Sequence, residues 1–156
     1  MKDVLFIDID GVIMSKNFID GCCPPTSGSF DSIRELKDKR FGCNIFIISN
    51  SSSIDDRFKV INWLSRKEFY SRTGVPIQKL IFCDQETEKA DICEKEKATH
   101  FVGSCKETMI YLRRVGVKNR LLFVSGNEEK EDAFDFILPD VVRVESWQEI
   151  KKILLG

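Results

Sequence analysis

Short apolar runs recur along this chain, and segments with helical patterns separate them. Most runs are apolar at every position, which is typical of strands buried on both faces of a sheet. Between them, apolar residues fall at helical spacing, as at Phe30, Ile33 and Leu36. The alternation predicts an α/β three-layer sandwich with a mostly parallel, Rossmann-like central sheet. The predicted strands are residues 4–7, 44–48, 80–82, 99–102, 121–124 and 141–144.

Helix starts are marked by a serine followed three residues later by an acidic residue. In such a capping box, the hydroxyl and the carboxylate each satisfy a backbone N–H that the first helical turn leaves unpaired. The sequence predicts four of them, at Ser32/Glu35, Ser53/Asp56, Ser104/Glu107 and Ser146/Glu149.

The length and charge of the chain limit its organisation and its partners. A chain of 156 residues with 42% hydrophobic residues suits one domain, residues 1–156, with one buried core. An irregular stretch at about residues 12–29 reads as a short flap, which is too small for a cap domain. The formal net charge of −1 gives no general attraction to nucleic acid or to anionic membranes.

The beginning of the sequence and its cysteines favour a cytoplasmic protein. The first apolar run is too short for an export signal, since Asp8 interrupts it. We therefore expect the six cysteines to be reduced thiols. No C-x-x-C pair occurs and His100 is the single histidine, which argues against a zinc site.

The first strand runs directly into Asp8-Ile9-Asp10-Gly11. Ligands of parallel α/β sheets bind at the carboxyl ends of the strands, so these two carboxylates are the first candidates for chemistry. Their repulsion invites a divalent cation, and Mg²⁺ prefers such oxygen ligands. One acid could attack phosphorus while the other transfers a proton, and Gly11 lets the chain turn closely beneath a ligand. The alternative is an ordinary polar exit from a strand, whereas a calcium loop lacks its required glycine and glutamate positions.

Two further strand ends carry polar candidates. Ser49 and Asn50 follow the second strand, where a hydroxyl and backbone amides could donate to a phosphoryl oxygen. The alternative is a loop that only caps the next helix. Lys89 follows the third strand at a predicted helix start, where it could neutralise a bound phosphoryl group or could be a solvated surface lysine.

In their order along the chain, these elements resemble the haloacid dehalogenase-like (HAD) superfamily of Mg²⁺-dependent phosphohydrolases. The resemblance implies a nucleophile at Asp8, an acid/base at Asp10, a phosphoryl-binding hydroxyl at Ser49 and a charge-stabilising Lys89. It implies Mg²⁺ held by the Asp8 carboxylate and the Asp10 backbone carbonyl. It also implies a capless member with an open site for a phosphorylated substrate, which could be a macromolecule.

The sequence departs from the family after the predicted fourth strand. Gly103 and Ser104 stand where the family has one or two aspartates that hold Mg²⁺. Glu107 could substitute for them, although the capping box with Ser104 is the reading that we favour. The loss should weaken Mg²⁺ binding, so the alternative function is a phosphate-binding or protein-interaction module with little or no turnover.

Two other functions are disfavoured. A flavodoxin-like or response-regulator-like signalling domain would share its acids between two strands, whereas Asp8 and Asp10 lie together after the first strand. Nucleic-acid binding depends on two modest basic clusters in a chain of balanced charge. The first cluster is Arg113, Arg114, Lys118 and Arg120, and the second is Lys37, Lys39 and Arg40.

Overall fold

The strands of the computed structural model match the apolar runs of the sequence. The structure describes residues 2–15, 23–124 and 140–156. Each of the six strands overlaps one predicted run, so that prediction is confirmed. The strands are β1 (Leu5–Asp8), β2 (Ile45–Asn50), β3 (Leu80–Cys83), β4 (His100–Gly103), β5 (Asn119–Phe123) and β6 (Val141–Val144).

Helices follow most of the strands, as the helical spacing of the apolar residues predicts. Within the three described ranges, none of them is long and apolar enough to cross a membrane. A π-helical turn, Lys37–Phe41, extends the first helix, and a 3-10 turn, Ile77–Lys79, precedes β3. The α-helices are α1 (Ser29–Leu36), α2 (Ile54–Arg66), α3 (Phe69–Thr73), α4 (Glu86–Lys95), α5 (Lys106–Arg114) and α6 (Trp147–Leu155).

Two of the predicted helix caps are confirmed and two are wrong. The Ser53 hydroxyl accepts the Asp56 amide at 3.0 Å, and the Ser146 hydroxyl accepts the Glu149 amide at 3.2 Å. Ser32 lies inside α1, which begins at Ser29 after Gly28 in the left-handed region, so it caps nothing. Ser104 precedes the cap position of α5 and donates its hydroxyl elsewhere.

The strand order places β1 at the centre of the functional edge. The six strands lie in the order β3-β2-β1-β4-β5-β6, and every neighbouring pair is parallel. The chain therefore moves outward in one direction through β2 and β3, and then returns to the other side of β1 with β4. A crevice opens where strand order reverses in this way, beyond the carboxyl ends of the strands. Asp8, the last residue of β1, lies at that crevice.

Buried side chains on both faces of the sheet produce the three layers. Successive residues of a strand point to opposite faces. Leu5 and Ile7 belong to one apolar cluster with residues of α1, α2 and α6, whereas Phe6 belongs to a second cluster with residues of α4 and α5. Both faces of β1 are thus covered, which explains why its apolar residues do not alternate with polar ones.

A tight turn leads from β1 into the predicted flap at residues 12–29, of which residues 16–22 lie outside the described ranges. The Ile9 carbonyl accepts the amides of Ile13 and Met14 at 3.0 and 2.9 Å. Two indoles fix the segments on either side of residues 16–22. Trp147 donates to the Val12 carbonyl at 2.9 Å, and Trp63 donates to the Cys23 carbonyl at 2.6 Å.

Candidate active site

The structure brings the four predicted catalytic residues together at the carboxyl edge of the sheet. Asp8 is opposite Ile48 in the register of β1 and β2, which places Ser49 next to the exit of β1. Asp8, Ser49 and Lys89 are all buried, with exposed fractions of 3%, 1% and 4%. Asp10, in contrast, is exposed. One acid is therefore shielded from solvent and the other is accessible.

Asp8 and Lys89 form a buried ion pair. Lys89 Nζ lies 2.8 Å from Asp8 Oδ1, and both side chains are almost fully buried. Burial raises the pKa of Asp8 to about 6, although the Lys89 ammonium and the Ser104 amide act in the opposite direction. Burial alone would lower the pKa of Lys89, but the Asp8 and Glu86 carboxylates outweigh it and raise that pKa. At neutral pH the pair is therefore a carboxylate and an ammonium.

Asp10 accepts a hydroxyl from Ser49 in β2, and Ser49 is in turn in contact with Ser51 in the loop after it. Ser49 Oγ donates to Asp10 Oδ2 at 3.0 Å, and Ser51 Oγ lies 2.9 Å from Ser49 Oγ. Partial burial raises the pKa of Asp10, against the lowering effect of the Ser49 hydrogen bond. Water that reaches the exposed Asp10 limits that increase, because it stabilises the carboxylate.

The predicted substrate-binding residues Gly11 and Asn50 already have partners within the protein. Gly11 has a φ of +78°, the left-handed region that favours glycine, and its amide donates to the Met14 carbonyl at 2.9 Å. Asn50 Nδ2 donates to Glu86 Oε1 at 3.1 Å. The structure therefore gives Gly11 a turn-forming role and places Asn50 beside an acid that was not among the predicted site residues.

Glu86 is the site residue that the sequence analysis missed. It opens α4, and its side chain reaches Lys89, Asn50 and Thr108, the last through a hydroxyl 2.5 Å from Oε2. Burial opposes its ionisation, but the Thr108 hydrogen bond and the Lys89 charge lower its pKa. The one sequence signal for this residue is the Glu86-x-x-Lys89 spacing, which places the two side chains on one face of a helix.

Gly103 and Ser104 fill the corner where the resemblance expects acids. A Cβ on Gly103 would lie 2.7 Å from Asp8 Oδ2, so this position has no room for a side chain. Ser104 Oγ donates to the Asp10 backbone carbonyl at 3.0 Å. Glu107 is exposed and accepts the Cys105 thiol at 3.1 Å, so the structure gives no support to Glu107 as a substitute ligand.

The oxygen donors of the pocket fit Mg²⁺ in kind, but the described residues supply few of them. The Asp8 carboxylate and the Asp10 carbonyl are the hard ligands that Mg²⁺ prefers. One lone pair of that carbonyl already accepts the Ser104 hydroxyl, which leaves the second one. Across residues 2–15, 23–124 and 140–156, no cluster of three or more His, Cys, Asp or Glu side chains could hold a metal. A Mg²⁺ ion bound here would have two protein ligands, the Asp8 carboxylate and the Asp10 carbonyl, and would need water or substrate oxygens for the others.

The two predicted basic clusters are largely engaged in structural contacts. Arg120 is buried and donates to the Met109 carbonyl at 2.8 Å, so it belongs to the protein interior. Lys39 lies 2.6 Å from Glu35, and Arg40 lies 2.8 Å from Asp3. These contacts weaken the electrostatic case for nucleic-acid binding, because paired cations contribute less attraction to phosphates.

Comparisons with known proteins identify the fold class. No family model and no curated protein matches the sequence. Among solved structures, a candidate beta-phosphoglucomutase from Thermotoga maritima matches with a TM-score of 0.69 and 11% identity, over 98% of each chain. The six-stranded parallel sheet with its flanking helices is thus a Rossmann-like α/β fold, which this chain shares with that neighbour.

A designed protein makes the limit of that likeness plain. A de novo designed Rossmann 3x3 fold protein matches with a TM-score of 0.51 and 16% identity, over 96% of this chain and 91% of its own. Likenesses at such low identity concern the fold, and the same fold hosts many functions. Any function must therefore be argued from the pocket itself.

Proposed function

We propose that this protein is a Mg²⁺-dependent phosphohydrolase that cleaves phosphate monoesters through an aspartyl-phosphate intermediate. The observation that carries the proposal is the contrast between buried Asp8, which is paired with Lys89, and exposed Asp10 two residues further along the chain. A nucleophile must reach phosphorus, and an acid must reach the leaving group on the solvent side. The burial of Asp8 and the exposure of Asp10 support these two roles.

The chemistry divides between the two aspartates. An Asp8 oxygen attacks phosphorus, the bond from phosphorus to the leaving oxygen breaks, and protonated Asp10 gives that oxygen a proton. Asp10 then takes a proton from water, whose oxygen attacks the aspartyl-phosphate, so that orthophosphate leaves and the Asp8 carboxylate is restored. Bound Mg²⁺ would neutralise charge on the phosphoryl oxygens. The raised pKa of Asp10 suits a group that must carry a proton.

Ser49 and Asn50 are proposed for the phosphoryl subsite. Their side chains donate to Asp10 and Glu86. A contact with phosphate therefore requires each side chain to exchange its present partner for a phosphoryl oxygen.

The test is hydrolysis of p-nitrophenyl phosphate with Mg²⁺, with and without a chelator. Wild type should turn over, and Asp8→Asn should lose activity by several orders of magnitude, as with other lost nucleophiles. Asp91→Asn is a matched control, because it makes the same chemical change at an exposed position of α4. Mass spectrometry of acid-quenched protein should detect a phosphoryl adduct on Asp8. Turnover that survives Asp8→Asn would remove Asp8 from the mechanism.

A second candidate function is phosphate binding with little or no turnover. The contact that favours it is the Ser104 hydrogen bond to the Asp10 carbonyl, in a corner where the resemblance expects an acid. On this reading, wild type would bind orthophosphate in calorimetry and hydrolyse nothing, and Ser104→Asp would raise Mg²⁺ affinity. Gly103→Asp is unsuitable for that experiment because its Cβ would collide with Asp8.

A further inference from the structure

Glu86 joins three separate parts of the pocket. Its carboxylate accepts Asn50 from the end of β2 at 3.1 Å and the Thr108 hydroxyl from α5 at 2.5 Å. It also lies 2.9 Å from Lys89 Nζ, one turn further along α4. These contacts occupy both carboxylate oxygens, so Glu86 is tied to its neighbours in a defined orientation.

Lys89 is enclosed by oxygens from two acids. Its Nζ lies 2.8 Å from Asp8 Oδ1 and 2.9 Å from each oxygen of Glu86. An ammonium carries three N–H groups, so these three oxygens match its donors in number. In this arrangement Lys89 faces the two acids and donates a hydrogen bond to Glu86.

We propose that Glu86 is a positioning residue that keeps Lys89 on Asp8, so that Lys89 orients and balances the nucleophile rather than binding the phosphoryl group. The inference rests on the proposed function and adds to it a residue that neither the sequence pattern nor the resemblance assigns. Asn50 and Thr108 fix Glu86, Glu86 fixes Lys89, and Lys89 contacts the attacking carboxylate.

The charge of Glu86 matters to this role, and not only its size. A buried ammonium is costly unless it is paired and hydrogen-bonded. The side chain of Lys89 is 5% exposed, and that of Glu86, at 30%, lies nearer the solvent. Glutamine has nearly the same shape, but it carries no charge. Its NH₂ group, unlike a carboxylate oxygen, donates hydrogen bonds and cannot accept one from Lys89. Glu86→Gln should therefore loosen Lys89 while filling the same space.

The experiment compares full-length Glu86→Gln with Glu94→Gln, which makes the same change at an exposed position of α4. With p-nitrophenyl phosphate and Mg²⁺, we expect Glu86→Gln to lower kcat roughly 10- to 100-fold, since small misplacements of reacting groups have effects of that size. KM should stay within about threefold of wild type, because Ser49 is unchanged and the glutamine carbonyl oxygen can still accept the Asn50 side chain. Glu94→Gln should match wild type. An unchanged kcat, or a loss confined to KM, would overturn the proposal.

A second readout does not depend on turnover. Heteronuclear NMR of ¹⁵N-labelled protein should detect a slowly exchanging ammonium signal from Lys89, assigned by its loss in Lys89→Gln. That signal should persist in Glu94→Gln and disappear in Glu86→Gln. Its persistence in Glu86→Gln would show that Glu86 does not hold Lys89, whatever the activity. An inactive wild type with the expected NMR result would refute the proposed function and leave the structural assignment of Glu86 supported.

Thr108→Val covers the case in which Glu86→Gln fails to fold. It removes one hydroxyl from Glu86 at a fully buried position and leaves all charges unchanged. We expect a smaller decrease in kcat, about 3- to 10-fold, with faster exchange of the Lys89 signal. A Thr108→Val protein with wild-type kcat and wild-type exchange would count against the chain of contacts.

Discussion

A methyl group added at Gly103 should damage the pocket more than the protein's stability. The Cβ of Gly103→Ala would lie 2.7 Å from Asp8 Oδ2, 2.6 Å from a ring carbon of Phe101 and 3.2 Å from Met109 Cε. The first distance is about 0.7 Å short of an ordinary contact. Met109 is flexible and can yield, whereas the Phe101 ring is enclosed in the core and the Asp8 carboxylate can turn away at the expense of its contact with Lys89. The Asp8 carboxylate must therefore move by a substantial fraction of an ångström.

The expected cost has two parts that separate experiments measure. Overpacking of this kind costs about 1–3 kcal/mol, which urea unfolding followed by circular dichroism should detect as a lower midpoint. Displacement of the nucleophile should lower kcat for p-nitrophenyl phosphate by roughly 10- to 100-fold. The backbone at Gly103 does not lie at positive φ, so the effect is steric and not conformational.

Gly116→Ala is the matched control for this prediction. Gly116 has a φ of +86° and no atom within 4 Å of an added Cβ. Alanine there should cost about 1–2 kcal/mol through backbone strain and leave kcat unchanged. If Gly103→Ala and Gly116→Ala lose stability alike and both keep full activity, the reasoning about Asp8 is refuted.

Three further predictions concern stability. Ser53→Ala removes a confirmed helix cap and should lower the free energy of unfolding by about 1 kcal/mol, measured by urea titration, whereas no change would mean that the cap is dispensable. Trp147→Phe removes the indole N–H that satisfies the Val12 carbonyl and should cost about 1–3 kcal/mol in the same assay, with a cost below 0.5 kcal/mol contradicting it. Burial and the nearby Arg40 charge lower the pKa of His100, so the unfolded chain gains a proton more readily than the folded protein as pH falls below about 6.5. Wild type should therefore lose more stability than His100→Asn between pH 7.5 and pH 5.5, and equal losses would exclude this linkage.

The strands were predictable because their signal is local. Each β-strand is a short apolar run between turns or segments with helical periodicity. This pattern can be recognised without knowledge of the rest of the sequence. The placement of Asp8, Ser49 and Lys89 also followed from a general rule, since the carboxyl ends of parallel strands meet at one edge. A sequence that obeys that rule reveals which residues approach the site, but not which atoms they contact.

The parts that were missed depend on long-range packing. Glu86 becomes a site residue because α4 packs beside α5, which brings Thr108 to within hydrogen-bond distance. Nothing near Glu86 in the sequence specifies that neighbour. Ser104 illustrates the same difficulty. Its hydroxyl was predicted to cap the helix that follows it, but in the structure it donates to the Asp10 carbonyl, far away in the sequence. Local reasoning cannot rank two such partners before the fold is known.

The bond from Trp147 to Val12 joins residues 135 positions apart, and it has a practical consequence for anyone who shortens this chain. Val12 lies two residues after Asp10. Trp147 of α6 therefore fixes the backbone close to Asp10 in addition to packing in the core. A shortened form that ends before residue 147 would lose that anchor. The C-terminal helix should accordingly be kept intact in expressed versions, and any fusion partner is better separated from it by a flexible spacer.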